Sequence, residues 1–222
     1  NLSKSYDNQA LRLFLESGYI PSPYSIYIKV KKLPAAHYLI VDSNGLQIKR
    51  YWDFRSILPD ASLLKRSEDD LLDELDDILT ESVSKRMASD VPLGAFLSGG
   101  IDSSLMVAIM SKLSKKPIKT FTIGFDVKEY DESLHSKLVA EHLKTDHYCE
   151  QLGVNKLLEL LPTFLDNYDE PFFDSAAFPT LAVSRLAKKH VTVSMTGDGA
   201  DELFGGYHYY RIADALNSFF IL

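Results

Sequence analysis

The spacing of hydrophobic positions changes along this chain, and the change divides it. Over residues 7–17, Ala10, Leu11, Phe14 and Leu15 recur at the spacing of one helix face, with Gly18 placed as a C-cap. Ile26, Ile28 and Val30 alternate, which predicts a strand over residues 25–30. Leu33-Pro34 reads as a turn, 37–41 as a second strand and 46–52 as its return, joined by a hairpin turn at Ser43-Asn44-Gly45. Residues 53–65, with Pro59 and several polar residues, are weakly patterned and read as a linker. A helix is expected after the N-cap Ser67. Glu68, Asp69 and Asp70 in its first turn and Lys85 and Arg86 in its last complement the helix dipole. Leu71, Leu75, Ile78, Leu79 and Val83 would make its buried stripe, with the carboxylates between them on a solvated face.

From Val91 the pattern becomes strand, helix, strand, helix. Strands are expected at 92–97, 119–124, 146–150 and 191–196, and helices at 102–114, 132–143, 153–165 and 176–189. Short apolar runs alternating with amphipathic helices predict right-handed βαβ units, hence an α/β fold with a parallel sheet flanked by helices. Ligands of such sheets bind outside the carboxyl ends of the strands. The chemistry is therefore expected on the loops that begin at Ser98, Gly124 and Gly197.

Composition narrows this little. The chain has 222 residues, 45% hydrophobic and 25% charged, enough for one or two domains with real cores. A net charge of −7 argues against a nucleic-acid surface. No apolar run approaches the ~20 residues needed to cross a bilayer. The one cysteine, Cys149, allows no internal disulfide and fits a reducing compartment. At the end of an expected strand, it reads as buried and not as a nucleophile. The N-terminus Asn1-Leu-Ser-Lys-Ser5 and the apolar Ser218-Phe-Phe-Ile-Leu222 at the other end read as cuts from something longer.

Candidate chemistry collects on two loops. Ser98-Gly99-Gly100 joins a strand to a helix. Adjacent glycines permit a tight turn with no side chain between backbone and ligand, and the helix's first N–H groups carry partial positive charge, a combination that binds phosphate. Neither a Walker lysine nor the Gly-x-Gly-x-x-Gly spacing is present. The other loop, Gly197-Asp-Gly-Ala-Asp-Glu-Leu-Phe-Gly-Gly-Tyr207, holds four glycines and three acids. Asp102 and Asp201 could hold Mg²⁺ through oxygen, or each could serve only the start of its own helix. Ile123 could line an adenine pocket or be a plain core residue. Asp131-Glu132-Ser133 opens a helix, where capping explains it. The turn Asp169-Glu-Pro-Phe-Phe-Asp-Ser-Ala-Ala-Phe-Pro179 is either a pocket wall or a rigid connection. The six histidines, His37, His135, His142, His147, His190 and His208, lack metal-ligand spacing, and no Gly-x-Ser-x-Gly elbow supports a serine hydrolase.

Leu97-Ser-Gly-Gly-Ile-Asp-Ser-Ser104 resembles the pyrophosphate-binding loop of the N-type ATP pyrophosphatases. With Phe121-Thr-Ile-Gly-Phe125, Tyr130-Asp-Glu-Ser133, Asp169-Glu-Pro171 and residues 196–207, it is similar to the glutamine-hydrolysing (class B) asparagine synthetases. Residues 11–52, with Gly18-Tyr-Ile-Pro-Ser-Pro23 and Lys32-Leu-Pro34, resemble the end of that family's N-terminal glutaminase domain. The resemblance implies an adenine nucleotide alpha-hydrolase-like fold over 67–222, preceded by a linker at 53–66 and a small α+β remnant of an Ntn-type glutaminase domain at 1–52. It implies that aspartate and ATP form β-aspartyl-AMP and pyrophosphate, and that ammonia from glutamine then displaces AMP. A sugar acid of a surface polysaccharide is the alternative acceptor, and a non-catalytic nucleotide-binding relative the alternative class.

Carried over by motif position, Leu97, Ile123, Thr196 and Gly197 would contact adenosine. Ser98, Gly99, Gly100 and Ser103 would bind the phosphates, and Asp102 and Asp201 would hold Mg²⁺. Asp198 stands where many relatives have glutamate, at a position linked to forming the acyl-adenylate. Two departures matter. The family's glutaminase nucleophile is an N-terminal cysteine where this chain begins with Asn1, and a catalytic lysine of the family falls beyond residue 222. The chain is thus expected neither to hydrolyse glutamine nor to complete the reaction alone. The resemblance also implies a cytoplasmic protein, with no nucleic-acid or membrane partner, and leaves a homodimer open.

Overall fold

The computed structural model describes residues 5–57, 60–127, 129 and 131–220. Two compact units form, Asn1–Leu71 with Leu161–Ala177, and Leu72–Leu160 with Phe178–Leu222. Residues 161–177, grouped with the later part of the chain on sequence grounds, fall in the first unit.

In the first unit, α1 (Asn8–Ser17) is capped at both ends. The Asp7 carboxylate accepts from the Gln9 and Ala10 amides, and Gly18, at φ 77°, donates back to the Phe14 carbonyl. Ala10, Ile20 and Ile26 form a small core, with Phe14, Tyr24 and Tyr27 against it. Residues 25–30 do not form the expected strand. Ser25 Oγ donates to the Tyr27 and Val30 carbonyls and accepts from the Tyr27 amide, curling the segment into a turn, and only an isolated bridge, Tyr6 to Tyr27, remains. That curl buries Ile26 and leaves Ile28 exposed.

The hairpin forms as expected. β1 (His37–Asp42) pairs antiparallel with β2 (Gly45–Arg50), and the Asp42 carboxylate accepts from the Asn44 amide in the turn. Both faces carry exposed large apolar side chains, among them Leu39, Ile40, Val41 and Ile48. The linker segment contains two 3₁₀ turns, Phe54–Ser56 and Leu63–Lys65, while Leu58 and Pro59 lie outside the described residues. Residues 161–177 contribute an aromatic cluster of Phe164, Tyr168 and Phe172 and are tied to the N-terminal turns by the Phe173 amide, 2.6 Å from the Gly18 carbonyl.

The second unit is a parallel α/β layer. Helix α2 (Glu68–Met87) starts at Ser67, whose hydroxyl accepts from the Asp70 amide. Its stripe is narrower than expected: Val83 is buried, Leu71, Leu75 and Leu79 are half-buried, and Ile78 is exposed. Then follow β3 (Leu93–Phe96), α3 (Ile101–Leu113), β4 (Lys119–Phe125), α4 (Ser133–Leu143), β5 (Asp146–Leu152), α5 (Val154–Asn167), α6 (Ala177–Ala187), β6 (Val193–Met195), α7 (Ala200–Phe204) and α8 (His208–Phe220). These bear out the expected alternation.

Strands β3 to β6 are parallel and ordered β5-β4-β3-β6. Period-two alternation sends successive side chains to opposite faces. Ala95 and Leu97 join Val107, Met110 and Ala140 of α3 and α4 in one core, and Phe121 joins Leu186, Ala187 and Val191 in the other. Each fully buried large side chain contributes roughly 1.5–3 kcal/mol, and Phe121, Leu97, Val107 and Met110 all qualify. The chain runs outward from β3 to β4 and β5, then returns to the other side of β3. The order reverses between β3 and β6, so the loops leaving their carboxyl ends diverge around a crevice.

Candidate functional site

The end of β3 is fixed by its neighbour. The Leu97 amide donates to the Phe121 carbonyl at 2.9 Å, and the Thr122 hydroxyl donates to the Leu97 carbonyl, so the chain is free to turn only from Ser98. The turn is knitted by two serines. Ser103 Oγ accepts from the Ser98 amide (3.2 Å), lies 2.9 Å from Ser98 Oγ and donates to the Gly100 carbonyl, while Ser98 Oγ accepts from the Gly100 amide at 3.2 Å. Gly99 has φ 86°, and a β-carbon on it would lie 2.6 Å from the Ser136 amide nitrogen and 2.7 Å from His135 Cβ. The first turn of α4 occupies the space a side chain would need, so only glycine fits.

Helix α3 begins with Gly100 as N-cap and no side-chain cap. Asp102, in the first turn, does not cap its own helix. The first N–H groups are thus available to an anion.

On the other side of the crevice, β6 runs into Thr196 and Gly197. A β-carbon on Gly197 would lie 3.0 Å from the Ser103 amide nitrogen and 3.2 Å from the Asp102 carbonyl carbon. The structure thus brings the two glycine loops together, backbone to backbone. Thr196 Oγ1 donates to Asp198 Oδ2 at 2.9 Å, holding that carboxylate at the mouth of the loop. Asp201 sits in the first turn of the five-residue α7, its carboxylate turned over Gly206 where a side chain would clash. Tyr207 donates to Glu202 at 3.0 Å, which leads the causes that push its hydroxyl up to about 12.

Between the ends of β3 and β4 and the first turns of α4 and α6 lies a cavity of about 180 Å³. Leu97, Ser98 and Ile123 line it, joined by Phe125, Glu132 and Thr180, which the sequence reading did not place there. Of the 169–179 turn, only Pro179 reaches this wall, and Glu170 instead pairs with Lys32 inside the first unit.

Asp131 accepts from the Ser133 and Phe125 amides, and the Ser133 bonds hold its carboxyl below the usual range. Tyr130, its neighbour in the motif, lies outside the described residues. Cys149 is exposed and not buried as expected, because β5 is an edge strand. The shielding its sulphur does have, followed by the Asp131 charge, pushes its thiol up. Half-buried His147 sits 2.9 Å from Thr120 Oγ1 through Nδ1; burial pushes its pKa down, and its Nε2 is buried without a partner among the described residues. Among the described residues no cluster of three acids, histidines or cysteines could hold a metal, and no helix is long and apolar enough to cross a membrane.

A phosphate-type turn at the switch point of a parallel sheet, closed by a glycine loop from the far strand and flanked by a base-sized cavity, defines a nucleotide-binding α/β domain. Residues 74–221 match the asparagine synthase family, to which this chain belongs. It is 41% identical over 208 residues to a Methanocaldococcus jannaschii protein described as "Putative asparagine synthetase (glutamine-hydrolyzing) 2", covering 93% of this chain and 40% of that one. It is 35% identical over 216 residues to asparagine synthetase (glutamine-hydrolyzing) 1 of Bacillus subtilis, covering 96% and 33%. The chain thus spans about two fifths or less of these relatives' length. The NH3-dependent NAD synthetase of Campylobacter jejuni aligns at 14% identity and TM-score 0.40 over 64% of this chain and 61% of that one, too slight a likeness to add to what the sheet order shows.

Proposed function

We propose that this chain carries the nucleotide-binding part of an enzyme that amidates aspartate to asparagine at the expense of ATP. Aspartate would attack the α-phosphorus, giving β-aspartyl-AMP and pyrophosphate, and ammonia released from glutamine elsewhere in the whole protein would then displace AMP. The observation that carries this reading is the contact of Gly197 with the first turn of α3, which puts a phosphate turn and an acidic glycine loop on one crevice. Pyrophosphate is the leaving group, so negative charge grows on the β- and γ-phosphates. The amides at the start of α3 and the Ser98 and Ser103 hydroxyls are placed to receive it.

Leu97, Ile123, Thr196 and Gly197 would hold the adenosine part. Asp198, steadied by Thr196, would act where the acyl-adenylate forms. Asp102 and Asp201 suit Mg²⁺: both offer only oxygen, both sit in first turns beside the crevice, and two carboxylates plus phosphate oxygens complete its usual shell. Bound there, Mg²⁺ would neutralise pyrophosphate charge. In the first unit, the hairpin with apolar side chains exposed on both faces supports its reading as part of a larger glutaminase sheet.

ATP–pyrophosphate exchange by the whole protein, measured across carboxylate acceptors, tests the proposal. Exchange stimulated by aspartate supports it. Exchange with a sugar acid in its place overturns the acceptor, and no exchange with any acceptor overturns the reaction.

A further inference from the structure

We infer that Glu132 makes the pocket select a 6-amino purine over a 6-oxo purine, an inference that rests on the nucleotide reading above. The cavity wall is mostly apolar, with Ile123, Phe125 and Val183 suited to the faces of a flat base. Its polar side chains are few, and most are already committed. The Thr122 hydroxyl is bonded to the Leu97 carbonyl, and Ser98 Oγ is bonded within the phosphate turn.

Glu132 is different. It stands at the N-cap of α4, yet its side chain makes no cap hydrogen bond, because the neighbouring Asp131 already accepts from the Ser133 amide. Two adjacent acids at one helix start thus divide the work: the first holds the turn, and the second, exposed and uncommitted, lines the cavity.

An ionised carboxylate only accepts hydrogen bonds. Adenine presents a donor at its 6-amino group, whereas guanine and hypoxanthine present an acceptor oxygen there. Facing Glu132, the first edge gains a charge-assisted hydrogen bond, and the second meets two acceptors and no proton between them. A site built on such a bond discriminates far better than one built on shape alone.

The test is competitive binding of ATP, inosine triphosphate and the triphosphate of 6-unsubstituted purine riboside to the full chain and its variants. Because Glu132 is exposed and Asp131 keeps the helix start, Glu132→Gln and Glu132→Ala are expected to fold with unchanged thermal midpoints. The wild type should prefer ATP. Glu132→Gln, whose amide can donate to a 6-oxo group, should narrow the ATP-to-inosine triphosphate preference by about tenfold. Glu132→Ala should weaken ATP while leaving the 6-unsubstituted analogue unchanged. If wild type binds ATP but both variants keep its base preference, the assignment of Glu132 is wrong and the nucleotide site stands. If folded wild type binds none of the three, the nucleotide reading and this inference fall together.

Discussion

Gly197 lies so close to Ser103 that a β-carbon on the first would stand 3.0 Å from the amide nitrogen of the second. Both partners are backbone, so no side-chain rotation relieves the contact. Gly197→Ala should push the two loops apart by a few tenths of an ångström and weaken ATP about tenfold, and Gly197→Val should abolish detectable binding. Isothermal titration with ATP, with the thermal midpoint as a folding control, checks this.

Ser103 is the knot of the phosphate turn, 8% exposed and bonded to Ser98 and Gly100. Ser103→Ala leaves the buried Ser98 amide without its acceptor and should cost about 1–2 kcal/mol of stability. Exchange activity should fall further than stability does, because the turn loses its shape for an anion. Chemical denaturation alongside exchange kinetics would separate the two effects.

Lys32 and Glu170 form a half-buried ion pair in the first unit, with Lys32 Nζ also donating to the Ile20 carbonyl at 2.5 Å and Glu170 Oε2 accepting from the Ile26 amide at 3.4 Å. Lys32→Met and Glu170→Gln should each lower stability, and a double-mutant cycle should return a coupling of about 1 kcal/mol. That corresponds to a shift of roughly 2–4 °C in melting temperature per single variant.

Burial keeps His147 neutral in the folded chain, with its Nδ1 beside Thr120. Below about pH 6.5 the unfolded chain takes a proton that the folded one resists, so stability should fall as pH drops through that value. The loss should level off once the pH is beneath the depressed native pKa. Above pH 6.5 the group contributes no slope. Melting curves from pH 5 to 8 should show this decline in wild type and a shallower one in His147→Gln.

What could be read from sequence was whatever depends on local chemistry. Gly18, Ser67 and the Ser98-Gly99-Gly100 turn each announce a backbone conformation, and each sits where its residue type requires. The alternation after Val91 foretold the parallel layer because each short apolar run needs a helix to cover it. Long-range choices were not legible. Residues 25–30 alternate like a strand, but Ser25 turned its hydroxyl inward and curled them. Cys149 looked buried by its place at a strand end, and the position of β5 at the sheet edge decided otherwise. Asp131 and Glu132 look alike in sequence; only the cavity separates the acid that caps from the acid that faces it. Nothing local revealed that Glu170 would pair with Lys32, since that partnership spans most of the chain.

The pairing of β3 with β6 gives the phosphate turn a place in time as well as in space. Gly94 meets Ser194, about a hundred residues further along. The turn at Ser98 can exist once β3 and α3 have formed, but its opposite wall arrives only when the three-residue β6 docks at the sheet edge. Such a short edge strand is among the first to open in the native state. A nucleotide gripping both loops would hold that edge shut by mass action. Slowed hydrogen exchange at residues 193–197 on adding ATP would therefore record the crevice closing, before any bond to phosphorus is broken.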